Sequence, residues 1–330
     1  MKALCIGSSN IEITCPINEP ILEDMNLDIV EKYECGGGVA GNIAYLFGKW
    51  GVETYIASLL GADDFAQKIK KEYETIGVKI DFVETTYDKG TSQLIVLLNK
   101  TNKNKTLINI ANNSFLKKYT FNIEPDIIIS DGTDYNASLA AFDKNPNSLS
   151  FLSLTKPTNE ALEIAKYVKY IILNKKTAEI IANSTIDYNE SGTIVNIYNF
   201  LKQRFGNAEI IITLGERGCV YSINGQVKIM PPVRVEVVDT NGAGSVFVGG
   251  FAYAMGRNFG LEKAIAYATI AASLSTTKIT SRLSIPSLVE VSNYYDNKFG
   301  AQNNPNVQNK QEDSGQTNGN VTTGNDNVNA

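Results

Sequence analysis

The chain has 330 residues, 43% hydrophobic and 20% charged. That composition excludes a wholly disordered chain and suffices to bury one or two substantial cores. The net charge of −5 argues against nucleic acid or an anionic membrane as main partner, and the absence of histidine removes His-base mechanisms and imidazole metal sites.

In chain order, Leu4-Cys5-Ile6-Gly7 reads as a strand ending in glycine. Ile11 to Cys35 lacks a helical period and carries β-type alternation. Val39 to Trp50 puts Ile43, Ala44, Phe47 and Trp50 on one helical face, with Gly51 as the stop. A strand at Thr54–Ala57 and a helix at Asp64–Ile76 follow. Gly90 to Ile110 again alternates. With Ile11–Cys35 it is expected to form a small β subdomain, a lid; edge hairpins of the main sheet are the alternative, and the sequence leaves both open. Asp126–Ile129, Leu149–Leu152 and Tyr170–Leu173 are buried-type strands, each followed by a helix-compatible stretch. Glu209–Leu214 and Val235–Val238 are two more strands. Ala243–Met255 and Leu261–Leu274 are Ala-rich helices. Such alternation predicts a parallel sheet covered on both faces. From Ala301 to Ala330 the chain is Asn/Gln/Gly/Thr-rich, and a disordered tail is expected.

Cys5, Cys15, Cys35 and Cys219 form no CxxC pair, so zinc-ribbon and thioredoxin-like readings fail and buried thiols are expected. No apolar run approaches a membrane span, and the amino terminus turns polar at Ser8-Ser9-Asn10, too soon for a signal-peptide core. A cytoplasmic protein is expected.

Three glycine motifs stand out. Asp239-Thr240-Asn241-Gly242-Ala243-Gly244-Ser245 joins a β run to an apolar helix. Glycines there let backbone approach a ligand, and the helix start aims free N–H groups at it, which suits a phosphate. Tight packing alone is the competing account. Gly36-Gly37-Gly38-Val39-Ala40-Gly41-Asn42 opens an earlier helix. It suits a polyhydroxy ligand, or is simply a flexible helix cap. Thr213-Leu214-Gly215-Glu216-Arg217-Gly218 sits between two strands and by itself says β-hairpin.

In order and spacing these motifs resemble the ribokinase-like (PfkB) family of carbohydrate and nucleoside kinases. The family's G-x-x-N-x-D pattern reads here Gly7-Ser8-Ser9-Asn10-Ile11-Glu12. Its G-G-x-x-x-N is matched by Gly37 to Asn42, its G-x-D-x-F by Gly61 to Phe65, its T-x-G-x-x-G by Thr213 to Gly218, and its D-T-x-G-A-G-D by Asp239 to Gly244. The resemblance covers Ala3 to Tyr295. It implies an α/β fold with a doubly wound, mainly parallel sheet flanked by helices and a small β-sheet lid, within a kinase domain over 1–299. It implies ATP and Mg²⁺ as cofactors, and a monovalent cation such as K⁺ at Asp239. Gly242, Ala243 and Gly244 would form an anion hole for the transferring phosphoryl group. Thr213, Gly215, Gly218 and Asn174 would line the ATP side. Asn10, Glu12, Gly37, Gly38 and Asn42 would line the sugar or nucleoside side. A homodimer through the lid is a further implication.

Three departures qualify the match. The family's catalytic aspartate is replaced by Ser245, whose hydroxyl is no base near neutral pH. In Asn174-Lys175-Lys176-Thr177, Thr177 stands where the family's N-x-x-E has glutamate, and Glu179 lies two residues on. Glu12 replaces aspartate at the sugar contact. The expected function is therefore ATP-dependent phosphoryl transfer to a hydroxyl of a sugar, sugar phosphate or nucleoside, impaired by loss of the base. The alternative is an inactive pseudokinase that binds nucleotide or sugar.

Overall fold

The computed structural model describes residues 1–299. The expected tail from Ala301 lies outside them. The elements begin β1 (Lys2–Ile6), β2 (Asn10–Ile17), β3 (Tyr33–Gly37), α1 (Val39–Lys49), β4 (Glu53–Gly61), α2 (Asp64–Thr75), β5 (Lys79–Thr86), β6 (Gln93–Asn99) and β7 (Lys105–Ile110). They continue β8 (Ile127–Ser130), α3 (Tyr135–Lys144), β9 (Leu149–Leu154), α4 (Asn159–Ile164), β10 (Tyr170–Asn174), α5 (Lys175–Ala182), α6 (Ser191–Phe205) and β11 (Glu209–Thr213). The last are β12 (Cys219–Ile223), β13 (Gln226–Met230), α7 (Ala243–Gly256), α8 (Leu261–Ser275) and α9 (Leu288–Phe299).

Among the described residues a nine-stranded sheet runs β13-β12-β11-β10-β9-β8-β1-β4-β5. It is parallel from β11 to β5, and the β12–β13 hairpin closes one edge antiparallel. Successive strand residues face opposite cores. Ala3 and Cys5 join one core with α1, α7 and α8, while Leu4 and Ile6 join the other with α3 and α6. Ile172 and Ile211 point to the first core, Ile171 and Ile210 to the second. Period-two alternation with both faces apolar is what a doubly covered parallel strand requires. The predicted face of α1 is buried throughout: Ile43, Ala44, Phe47 and Trp50 all pack inward. All four cysteines are free and buried, and burial pushes the Cys219 thiol up to about 12 and Cys35 to about 11.

The two inserts pair with each other rather than extending the main sheet. They form a separate four-stranded sheet, β3-β2-β6-β7, with β2 and β6 parallel. Not every expected strand forms. Val235–Val238 is irregular, because its chain has left the β13 edge; the N–H groups of Val238 and Asp239 both donate to the Thr276 carbonyl at the end of α8 instead. The sequence reading also passed over β5, whose apolar residues are only half-buried at the sheet edge.

Asp63 ties the two sheets together. Its carboxylate caps α2 by accepting the Ala66 N–H at 2.9 Å, and takes the Thr91 N–H at 2.6 Å and hydroxyl at 2.7 Å just before β6. Burial raises its pKa, but the Thr91 and Ala66 bonds outweigh that and hold it below the ordinary carboxyl value. Asp63→Ala is expected to destabilise the fold by about 1–2 kcal/mol. A group with a lowered folded pKa stabilises above its unfolded value and loses that contribution as pH falls through the folded one. The melting gap between wild type and variant should thus be full at neutral pH and narrow below the ordinary carboxyl range, read by thermal scans across pH.

Candidate active site

Thr213–Gly218 leaves the carboxyl end of parallel strand β11, Gly36–Asn42 packs on Ser8 just after β1, and Gly242–Gly244 follows irregular chain into α7. The chain builds outward from β1 to β4 and β5 on one side and from β8 to β11 on the other, so the sheet order reverses between β1 and β8. Ligands in such sheets bind outside the carboxyl ends of the strands at that reversal. Here the crevice holds Asp131, just after β8. Its Oδ2 accepts the Ser8 N–H at 2.8 Å, the Ser8 hydroxyl, and the Ala40 N–H at 3.3 Å. Its Oδ1 accepts the N–H and hydroxyl of Thr133.

That network closes the start of α1. Val39 N–H donates to Ser8 Oγ, Ala40 N–H to Asp131 and Gly41 N–H to the Ser8 carbonyl. The start of α5 is closed as well: Asn174 Oδ1 accepts the Thr177 N–H at 2.9 Å. The start of α7 differs. Gly242, at φ 79°, is its cap and supplies no side chain. The N–H groups of Gly244 and Ser245 lie in the first turn, where no helical carbonyl reaches them. A Cβ built on Gly244 would meet nothing within 4 Å. This turn presents free backbone donors to open space, and Gly215 in the β11–β12 turn likewise faces open space.

Gly242 needs its positive φ and its bare Cα. A Cβ there would lie 2.5 Å from Ser281 Cβ in the loop after α8. Ser281 in turn binds Glu12, donating its N–H to Oε1 at 3.1 Å and its hydroxyl to Oε2 at 2.6 Å. Thr14 Oγ1 donates to the same carboxylate at 3.2 Å. Burial raises the Glu12 pKa; the Ser281 and Asn241 side chains and the Ser281 N–H pull it down, and Asp239 pushes it up again. Glu12 thus reaches the seam between the small sheet and the α7 turn. Ser245 is buried in the first turn of α7.

On the sugar side of the resemblance, Asn10 Oδ1 is buried without a partner. Asn42 Oδ1 accepts from Arg282 Nε at 3.3 Å. Arg282 is 1% exposed and fills the space beside the glycines. It donates to Glu72 at 2.6 Å, to the Tyr73 hydroxyl at 2.9 Å and to the Gly37 carbonyl at 3.4 Å, and a Cβ on Gly36 would strike its Nη1. Gly38 caps α1 against Ser8. No sequence signal marked Ser281, Arg282, Asp131 or Lys105. The first two follow an Ala-rich helix in a loop with no motif, and contact with Glu12 and Asn42 spans some 240 residues or more of chain.

On what the resemblance makes the nucleotide side, Thr213 is half-buried at the end of β11 and pairs in register with Asn174. Gly215 starts the turn that leads into β12, and Gly218 closes it by accepting the Leu214 N–H at 2.7 Å. The Thr177 hydroxyl turns inward and donates to the Thr155 carbonyl, while Glu179 accepts the Ile186 N–H at 2.8 Å. Neither side chain is left free to serve a metal. A cavity of about 890 Å³ lies at the amino ends of the strands beside Met1, Asp126, Asn147 and Arg257, remote from all these residues. Among the described residues no helix is long and apolar enough to cross a membrane.

A doubly wound, mostly parallel sheet flanked by helices, with a small four-stranded sheet beside it, defines an α/β protein of the kind whose ligands bind at the carboxyl ends of the strands. The chain belongs to the pfkB family of carbohydrate kinases, whose model matches residues 1–288. It is 24% identical over 301 residues to ribokinase of Staphylococcus aureus, covering 88% of this chain and 98% of that one. It is 25% identical over 296 residues to the bifunctional ribokinase/ribose-5-phosphate isomerase A of Fructilactobacillus sanfranciscensis, covering 86% of this chain and 54% of that longer protein. Its fold matches the structure of Arabidopsis thaliana ribokinase complexed with ribose and ATP, at TM-score 0.72 and 19% identity, over 88% of this chain and 97% of that one.

Proposed function

We propose that the chain binds ATP with its terminal phosphates on the Gly242-Ala243-Gly244 turn and transfers a phosphoryl group, slowly, to a hydroxyl of a sugar, sugar phosphate or nucleoside. The observation that carries this reading is the open start of α7, set against the internally closed starts of α1 and α5. Backbone donors aimed at a phosphoryl group stabilise the charge it carries in flight. Thr213 and Gly215 line the nucleotide side, with Asn174 and Gly218 shaping it. Asn10, Glu12, Gly37, Gly38 and Asn42 border the acceptor, and the unpartnered Asn10 Oδ1 supports a hydroxyl donor there. Mg²⁺ would be held by the nucleotide's own phosphates, since Thr177 and Glu179 are engaged elsewhere. It would neutralise phosphate charge. The small sheet acts as a lid that excludes water. Its exposed Ile108 and Ile110 support a pairing of two copies there, which sedimentation velocity tests.

What the site lacks is a base. Ser245 holds that position, and Asp239, the nearest carboxylate in sequence, is fully engaged by two backbone N–H groups. This favours a second reading, a pseudokinase that binds nucleotide or sugar without turnover. Calorimetric titration with ATP and a sugar and nucleoside panel, beside an ADP-release assay, separates the two.

Gly244→Val tests the phosphate role directly. The new side chain meets open space, so the fold should survive, but it stands where phosphates would lie. ATP affinity is expected to fall by at least about tenfold, the loss of one charge-assisted backbone bond. Equal ATP affinity in variant and wild type would refute the role.

A further inference from the structure

Asp239 lies immediately before the Gly242 turn, and its side chain is fully enclosed. Its Oδ1 accepts the Asn241 N–H at 2.8 Å and its Oδ2 the Thr280 N–H at 3.1 Å. One cation faces it. Lys105, the first residue of β7 in the small sheet, places Nζ 4.0 Å from Oδ1, with its side chain 19% exposed. Burial lowers the Lys105 pKa, and Asp239 and Glu12 pull it back up. The ammonium thus feels the charge of two buried carboxylates, of which Asp239 lies within ion-pair distance and Glu12 is bound to Ser281.

The resemblance implies a monovalent cation at Asp239, and these residues do not fit one. Such an ion needs several oxygen ligands and no neighbouring positive charge. Here each carboxylate oxygen already accepts a backbone N–H, and an ammonium faces Oδ1 at 4.0 Å, where a second positive charge would be repelled.

We propose that the Lys105 ammonium is the built-in counter-ion of Asp239, replacing a dissociable monovalent cation, and that it positions the Gly242 turn for phosphate. The proposal rests on the phosphate reading of that turn. Asp239 holds Asn241, the residue before Gly242. It also holds Thr280, the residue before Ser281, against which Gly242 packs. Neutralising Asp239 from the small sheet therefore sets the turn only when that sheet is seated. A tethered charge also needs no ion from solution. Lys105 is a positioning residue, acting on phosphate through Asp239.

Two measurements test this, each in KCl, NaCl and tetramethylammonium chloride at equal ionic strength. Thermal unfolding without ligand reads the counter-ion. The wild type should melt alike in all three salts. Lys105→Met should melt lower in tetramethylammonium and recover in KCl or in methylammonium chloride, while Lys105→Arg should behave as wild type. A wild type whose melting rises specifically with K⁺, or a Lys105→Met protein indifferent to the salt, overturns the proposal. Calorimetric titration with ATP reads the turn. Wild-type affinity should not depend on the salt, and Lys105→Met should lose about tenfold or more in tetramethylammonium, as removal of one partner of a buried charge pair does. If the melting pattern holds while ATP binds neither protein, the phosphate reading fails and the counter-ion stands.

Discussion

Ser245→Asp should raise phosphoryl transfer by about 10²–10⁴, the range for one well-placed general base. The position favours the change. Residue 245 lies in the first turn of α7, where a carboxylate meets free N–H groups and the positive end of the helix. It is also only 8% exposed, so the new group would sit inside the seam. Wild-type turnover in the ADP-release assay should correspondingly be slow or undetectable with every sugar and nucleoside tried. Should Ser245→Asp bind ATP and sugar yet gain nothing, the missing acid at Thr177 also disables the site, and the pseudokinase reading takes over. An ordinary wild-type rate, on the order of 1–100 s⁻¹, would instead mean that another residue is the base. Asp239→Asn is then the next variant to make.

The second large effect is on stability. Arg282→Met should cost about 3 kcal/mol, the lower end for breaking a buried ion pair, because Arg282 is enclosed while the Glu72 side chain stays 24% exposed. Arg282 links α2 through Glu72 and Tyr73 to α1 through Asn42 and to β3 through Gly37. Its guanidinium also stacks 4.7 Å from the Tyr73 ring and 5.2 Å from Tyr45. Glu72 would keep only the Gly36 N–H, at 3.0–3.1 Å from its two oxygens. Urea unfolding measures the loss, and a change under about 1 kcal/mol would show that Glu72 finds solvent easily enough to be indifferent to its partner. The double variant Arg282→Met with Glu72→Met should recover much of the loss, since replacing both ions by apolar groups removes the stranded charge.

Much of the fold was legible in the chain because its signals are local. Apolar strand runs, an α1 face repeating at helical spacing and glycine stops each report on a few neighbouring residues, and they located the parallel strands other than β5 and the main helices. The two inserts were visible as segments without helical period. Their pairing into a separate sheet was not, because β2 and β6 meet across some eighty residues of chain. Val235–Val238 shows the converse failure. Its composition is strand-like, but no strand lies alongside it, so its N–H groups turn to α8.

The same division runs through the site. By itself the sequence determined the chemical identity of the residues at each motif: glycines at 242 and 244, and Ser and Thr at 245 and 177 where the family resemblance expects acids. It read Asp239–Ser245 and Gly36–Asn42 as helix starts with bare backbone and Thr213–Gly218 as a hairpin, but not which helix start stays open. Tertiary structure alone decided that Ser8 and Asp131 close α1 and that α7 stays open, whereas the Asn174 cap of α5 is a local contact spanning three residues. It alone brought Arg282 to Asn42 and Lys105 to Asp239. The physical reason is that a buried polar group must find its partner wherever the fold places one, and neither spacing nor periodicity records a partner that lies a hundred or more residues away.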